Sequence, residues 1–167
     1  TWRKLHLAID GDNFEIISME LTKAECHDDT QTISLLEHRK SADQFFADGA
    51  YISKSSFDRL SELGAKPRVP IRSGTCPVEK NPSPGEILRN ELIREIWEKG
   101  GKPVWKKESN YHKRSLVETQ MFRFKQILGN RLQNRSFEKQ IVEAAIKCKL
   151  LNKMTKLGMP ESEKFMK

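Results

Sequence analysis

Four residues with charged or hydroxyl-bearing side chains are spaced to share one face of a helix. At about 100° per residue, Tyr111, Arg114, Glu118 and Lys125 fall within roughly 60° of one another. A carboxylate on a rigid helix can hold a divalent metal ion against a phosphodiester, and neighbouring cations can bind DNA phosphates. This face would therefore place one metal ligand between phosphate-binding groups.

The opposite side of the same helix is apolar, which allows it to pack into a core. That side consists of Leu116, Val117, Met121, Phe124, Ile127 and Leu128. A surface helix with an ordinary i,i+4 pair between Arg114 and Glu118 is the simpler interpretation of any one of the polar residues alone.

A second candidate carboxylate, Asp48, follows a short apolar strand predicted at Gln44–Ala47 and precedes Gly49. A carboxylate where a buried strand ends, beside a glycine that permits tight backbone, is a common site geometry in α/β folds. An ordinary turn aspartate is the alternative. If Asp48 and Glu118 form one site, they must meet in space.

Alternation, helical spacing and turn residues predict the elements that position these groups. Strands are predicted at Trp2–Ile9, Phe14–Leu21, Gln44–Ala47 and Lys66–Ile71, and helices at Ser53–Leu63, Glu86–Glu98, residues 111–128 and residues 136–156. The first two strands form a hairpin around a turn at 10–13, where Asp10 serves turn chemistry rather than a calcium loop. Prolines make 72–85 an irregular loop.

Charge is unevenly distributed along the 167 residues. Residues 1–84 carry 11 Lys/Arg and 13 Asp/Glu, whereas residues 85–167 carry 19 and 10, giving +7 overall. A basic second half indicates a polyanionic partner or, alternatively, simple solubility charge. Segment Lys102–Lys113 mixes basic residues with Trp105, which suits either nucleic-acid contact or a solvated turn with a buried tryptophan.

The three cysteines lack metal-site or disulfide spacing, which is typical of a reducing cytoplasm. No apolar run approaches the roughly 18 residues that a membrane span needs. We therefore expect no membrane contact.

Tyr-x2-Arg-x3-Glu-x6-Lys is the spacing of the YREK signature, and through it the chain resembles bacterial insertion-sequence DDE transposases. The segment ADGAY at 47–51 resembles their second acidic motif, although Ile52 stands where another acidic residue often follows. The likeness extends over nearly the whole chain, including the closing LNKMTKLGMPES.

The resemblance implies one partial catalytic domain over residues 1–167, of α/β class with a ribonuclease-H-like mixed sheet flanked by helices. The hairpin would be the family's second and third strands, and Asp48 would end the fourth. The family's first Asp lies on a central strand ahead of Trp2, so the resemblance implies a C-terminal fragment that lacks this strand. We expect weak stability, or direct pairing of the second and fourth strands across the gap.

The resemblance also implies metal-dependent DNA cleavage and strand transfer at a DDE site. Asp48 and Glu118 would be catalytic metal ligands for two Mg²⁺ ions, with Mn²⁺ as a substitute. DNA contacts would come from Tyr111, Arg114, Lys125, Arg123, Lys113, Arg131 and Arg135. The partners would be double-stranded DNA at the element ends and the target and, in the complete protein, a second subunit of a homodimer. The protein would act in the bacterial cytoplasm, associated with the nucleoid when on DNA.

The fragment alone would be inactive, so the main alternative is a catalytically dead transposase remnant that at most binds DNA. A general nuclease or resolvase is disfavoured by the step from Glu118 to Lys125 and by the lack of extra acidic residues on that helix. A helical interaction domain would require both motifs to be coincidental.

Overall fold

The computed structural model describes residues 2–158, which form a mixed α/β arrangement. The strands are β1 (Arg3–Ile9), β2 (Ile16–Lys23), β3 (Gln44–Phe46) and β4 (Lys66–Arg68). The helices are α1 (Gln31–Leu36), α2 (Lys54–Glu62), α3 (Pro84–Glu98), α4 (Lys102–Glu108), α5 (Ser115–Leu128) and α6 (Phe137–Leu157). Short 3₁₀ turns lie at Asp28–Thr30, Gly49–Tyr51 and Tyr111–Arg114.

The predicted hairpin is present, with β1 and β2 antiparallel and Leu5 opposite Leu21. Its tip is held by Asp10, whose Oδ1 accepts the backbone N–H groups of Asp12 at 2.9 Å and Asn13 at 3.2 Å. Asp10 therefore serves the turn, as predicted.

Strands β3 and β4 pair in parallel, with α2 as the connection between them. The Ser53 side chain caps α2 by accepting the N–H of Ser56, and the chain leaves the helix at Gly64. Helix α3 approaches α2 closely, since a Cβ on Gly85 would lie 2.5 Å from the backbone nitrogen of Asp58. This close packing requires the glycine.

The apolar side chains form two main regions. One lies between the hairpin, α5 and α6 and is centred on Leu7, Phe124 and Leu151. The other joins α2, α3 and α4 around Phe57, Leu92, Ile96 and Trp105, with Leu60 and Leu63 extending it toward β3. The residues between α4 and α5 cross from one region to the other.

Residues 2–158 have the predicted mixed α/β composition, and their strands form separate small sheets. In residues 2–158, β1 pairs only with β2 and β3 only with β4, giving two sheets of two strands. Of the two alternatives, direct pairing of β1 with β3 is therefore wrong, and weak stability stays a prediction. Side chains make the connection instead: the buried His6 ring lies 3.2 Å from Tyr51 Oη and 3.0 Å from Thr22 Oγ1. Burial lowers the pKa of His6. The nearby Asp28 charge opposes this shift, and the Lys4 charge adds to it.

Element boundaries differ from the predictions by small amounts. The helix predicted over 111–128 begins as a 3₁₀ turn and becomes α-helical at Ser115. Helix α3 begins at Pro84 because Ser83 and Glu86 form a capping box, so the irregular loop ends earlier than predicted. The part of LNKMTKLGMPES beyond residue 158 lies outside the described residues. No described helix is long and apolar enough to cross a membrane.

We predict that amide hydrogens of β3 and β1 exchange faster than those of α2. Strand β3 has three residues and faces Pro67, which has no N–H, so its ladder is short and incomplete. Hydrogen-exchange mass spectrometry on the chain would measure this difference. Strong, uniform protection of both Leu5–Ile9 and Phe45–Ala47 would contradict the expected weak stability.

Candidate active site

Asp48 lies just beyond the end of β3, where the backbone enters a 3₁₀ turn. The turn packs closely against the segment after β4, because a Cβ on Gly49 would lie 3.0 Å from the carbonyl oxygen of Pro70. The Asp48 side chain is 59% exposed and points to an open surface. The strand and the glycine thus hold a solvent-accessible carboxylate at a fixed place.

Tyr111, in the 3₁₀ turn that precedes α5, connects this helix to the backbone just before Asp48. Its hydroxyl donates to the carbonyl oxygen of Ala47 at 3.4 Å, and its ring lies 5.9 Å from that of the buried Trp105. Burial raises the pKa of the Tyr111 hydroxyl; the Arg114 charge opposes this and the charges of Asp48 and Glu118 add to it. The phenol therefore stays protonated and can act as a donor.

Arg114 contacts both candidate carboxylates through a single nitrogen atom. Its Nη1 lies 2.8 Å from Glu118 Oε1 and 3.8 Å from Asp48 Oδ2. The two oxygens can therefore be no farther apart than these two distances laid end to end. The guanidinium also lies 5.8 Å from the centre of the Tyr111 ring. The structure thus places Asp48 and Glu118 near each other, as one shared site requires. Tyr111 and Arg114 lie beside them.

The two carboxylates are of a type that suits a hard divalent cation. Mg²⁺ is commonly held by one or two carboxylates, with its other positions filled by water and substrate phosphates. Asp48 and Glu118 are both exposed, at 59% and 61%, so such ligands could reach them. Among residues 2–158 no group of three or more His, Cys, Asp or Glu side chains converges to hold a metal. The residues present fit a metal that is partly held by other ligands.

The exposed face of α5 continues beyond Glu118 to Lys125, two helical turns or about 10 Å further along the axis. Phe122 lies between them on this face and is 62% exposed. The sequence interpretation did not single out Phe122, although its position four residues after Glu118 would have placed it there. Lys113, in the 3₁₀ turn before α5, is also exposed.

Arg123 lies in the interior, which corrects its predicted role as a DNA contact. It is only 8% exposed, and its Nη1 donates to Gln120 Oε1 at 3.1 Å and Thr155 Oγ1 at 2.8 Å. Trp105 is likewise fully buried and cannot stack on a base, but the segment predicted as a solvated turn is mostly helix α4. Residue type alone does not predict that Arg123 and Trp105 are buried.

The loop that carries Arg131 and Arg135 is held by one carboxylate of α6. Glu143 accepts the backbone N–H groups of Gln133 and Asn134 at 2.9 and 3.0 Å and pairs with Lys147, whose Nζ also donates to the Arg131 carbonyl. Both arginines are exposed. The sequence interpretation missed Glu143, because nothing in the sequence shows that a helix carboxylate meets a loop nine residues away.

Glu143 gives a testable pH dependence. Burial of the carboxyl opposes ionisation, but its hydrogen bonds from Asn134, Gln133 and Lys147 outweigh this and hold the pKa of Glu143 at about 2. Because this is below the ordinary value of 4.5, ionised Glu143 stabilises the fold above that pH, and the stabilisation is lost as pH falls toward 2.

We therefore expect Glu143→Gln to lower the free energy of unfolding at neutral pH by about 1.5–3 kcal/mol, the range for hydrogen bonds to a charged group. The difference from wild type should shrink as the pH approaches 2. Denaturant unfolding followed by circular dichroism would measure it, with the exposed Glu79→Gln as the matched control. A difference that is independent of pH would contradict the assignment.

The family model described as "Transposase DDE domain" matches residues 1–153, which is nearly the whole chain. No solved structure matches the chain. The matched residues include both carboxylates, the arginine between them and the helix on which Glu118 lies. The chain therefore belongs to the transposase DDE domain family.

Proposed function

We propose that this chain forms the catalytic part of a YREK-group DNA transposase, which cuts and joins DNA by metal-dependent phosphoryl transfer. Membership of the family implies DNA as the substrate and polynucleotidyl transfer as the reaction class. The observation that carries the finer proposal is the contact of one guanidinium with both Asp48 and Glu118. Two carboxylates held this close on separate elements can serve one site.

In this proposal Asp48 and Glu118 hold divalent cations, with Mg²⁺ as the physiological ion and Mn²⁺ as a substitute. A bound ion would supply a Lewis acid that activates water or a DNA 3′-hydroxyl and stabilises the leaving oxygen. The chain's own contribution is rigidity. Glu118 is fixed by the packing of α5, and Asp48 is fixed by β3 and by the Tyr111 bond to Ala47.

The cations of the same surface hold the DNA. Arg114 can bind a phosphate beside the two carboxylates, and its guanidinium lies over the Tyr111 ring. Lys113, Lys125, Arg131 and Arg135 are exposed and extend the basic surface along and beyond α5. This is the charge distribution that phosphate-backbone binding requires. The reaction would take place on DNA in the cytoplasm and involve two element ends, which suits a homodimer.

The proposal includes a third carboxylate on a strand that precedes β1 in a ribonuclease-H-like sheet. The unpaired edges support it: within residues 2–158, each of β1 and β3 has a backbone ladder on one side only. A strand between them would satisfy both edges and deliver its Asp to the end of the sheet that bears Asp48.

The central prediction concerns Glu118. In the complete transposase, Glu118→Gln should reduce metal-dependent cleavage at the element ends by more than about 100-fold, because loss of a direct ligand exceeds the effect known for outer-shell partners. DNA binding in a gel-shift assay should persist. The matched control is Glu98→Gln, an exposed carboxylate of α3. Retained cleavage in Glu118→Gln would remove this residue from the site.

A second prediction separates surface cations from buried ones. Lys125→Ala should weaken DNA binding at all sequences and reduce the slope of log affinity against log salt by about one, because one phosphate contact is lost. Fluorescence anisotropy at several salt concentrations measures this slope. Lys40→Ala, at an exposed position in the loop before β3, should leave the slope unchanged. An unaltered slope in Lys125→Ala would exclude its phosphate contact.

A further inference from the structure

Arg114 already pairs with the two carboxylates that would hold a metal ion. Its Nη1 lies 2.8 Å from Glu118 Oε1 and 3.8 Å from Asp48 Oδ2. The carboxylates that would hold a divalent ion are therefore the ones that Arg114 already contacts. A guanidinium and a divalent ion that compete for the same carboxylates also repel each other.

We propose that Arg114 competes with the divalent cation, filling the metal's place between Asp48 and Glu118 until a DNA phosphate draws the guanidinium away. The inference rests on the proposed function and adds to it. Arg114 then has two successive partners, first the carboxylates and later a DNA phosphate. The metal site opens when DNA arrives.

The surroundings of Arg114 allow this exchange. The side chain is long, partly exposed and enters from the 3₁₀ turn that precedes α5, so it is not enclosed by the core. Its guanidinium lies over the Tyr111 ring, and that ring is anchored by Trp105 and the Ala47 carbonyl. A guanidinium binds phosphate and carboxylate with similar two-point geometry, so a phosphate can replace the carboxylates as its partner.

The exchange couples the two ligands of the enzyme. If phosphate binding removes Arg114 from the carboxylates, DNA raises the affinity for the metal, and by linkage the metal raises the affinity for DNA by the same factor. In the absence of DNA the guanidinium neutralises the carboxylates and weakens metal binding. Metal-dependent chemistry is thereby restricted to the DNA-bound state.

A general electrostatic effect must be separated from direct competition, because any nearby positive charge weakens cation binding. Lys106 provides the matched control. Its Nζ lies 5.2 Å from the centre of the same Tyr111 ring that Arg114 contacts at 5.8 Å. The ion pairs that join Arg114 to Asp48 and Glu118 do not include Lys106.

The test measures Mn²⁺ binding to the DNA-free 167-residue chain by electron paramagnetic resonance of the free ion. Arg114→Gln should bind Mn²⁺ more tightly than wild type by about fivefold or more, the factor for one unit charge at about 4 Å even in bulk water. Lys106→Gln should change the affinity by less than about twofold. Unchanged or weaker binding by Arg114→Gln, or an equal gain in Lys106→Gln, would overturn direct competition.

Two further measurements keep the outcome decisive. Addition of Mg²⁺ to wild type should shift the ¹⁵N resonance of the Arg114 Nε as the ion displaces the guanidinium. An unmoved resonance at saturating Mg²⁺ contradicts the inference. This measurement does not require Arg114→Gln to fold. Glu118→Gln separates the two hypotheses. If it binds Mn²⁺ as tightly as wild type, the proposed metal site is wrong; if it binds weakly and Arg114→Gln shows no gain, only the competition is wrong.

Discussion

The geometry of the candidate site depends on one aromatic anchor. Tyr111 packs against Trp105 in the region formed by α2, α3 and α4, while α5, which follows its 3₁₀ turn, packs against the hairpin and α6. Its hydroxyl then joins the backbone just before Asp48. Tyr111 thus joins elements that belong to different apolar regions, and Arg114 joins the two carboxylates themselves.

Local pattern was sufficient to predict the parts of this arrangement. Helical spacing placed Arg114 and Glu118 on one face, and their side chains form a 2.8 Å ion pair. The apolar run followed by Asp48 and Gly49 gave the strand and its turn, and alternation gave the hairpin. Each of these features is decided by residues within one or two turns of each other, where propensity and periodicity act directly.

The long-range features could not be derived in the same way. The charge of Arg123 predicts a surface position, but the side chain is buried and donates to Thr155, 32 residues away on α6. Gln120, equally polar, is buried and donates to the carbonyl of Phe14 at the hairpin. The connection between β1 and the turn after β3 is also long-range. It is made by the contact of His6 with Tyr51, 45 residues apart, which no periodicity predicts.

The loop between α5 and α6 has a consequence for how the molecule meets its ligand. Its backbone is already fixed by Glu143 and Lys147 before any polyanion approaches. Arg131 and Arg135 therefore lie on a preorganised segment, and in the proposed DNA complex little backbone entropy would be lost when they bind phosphates. Association at this end of the molecule should then be governed by long-range electrostatic steering rather than by induced ordering.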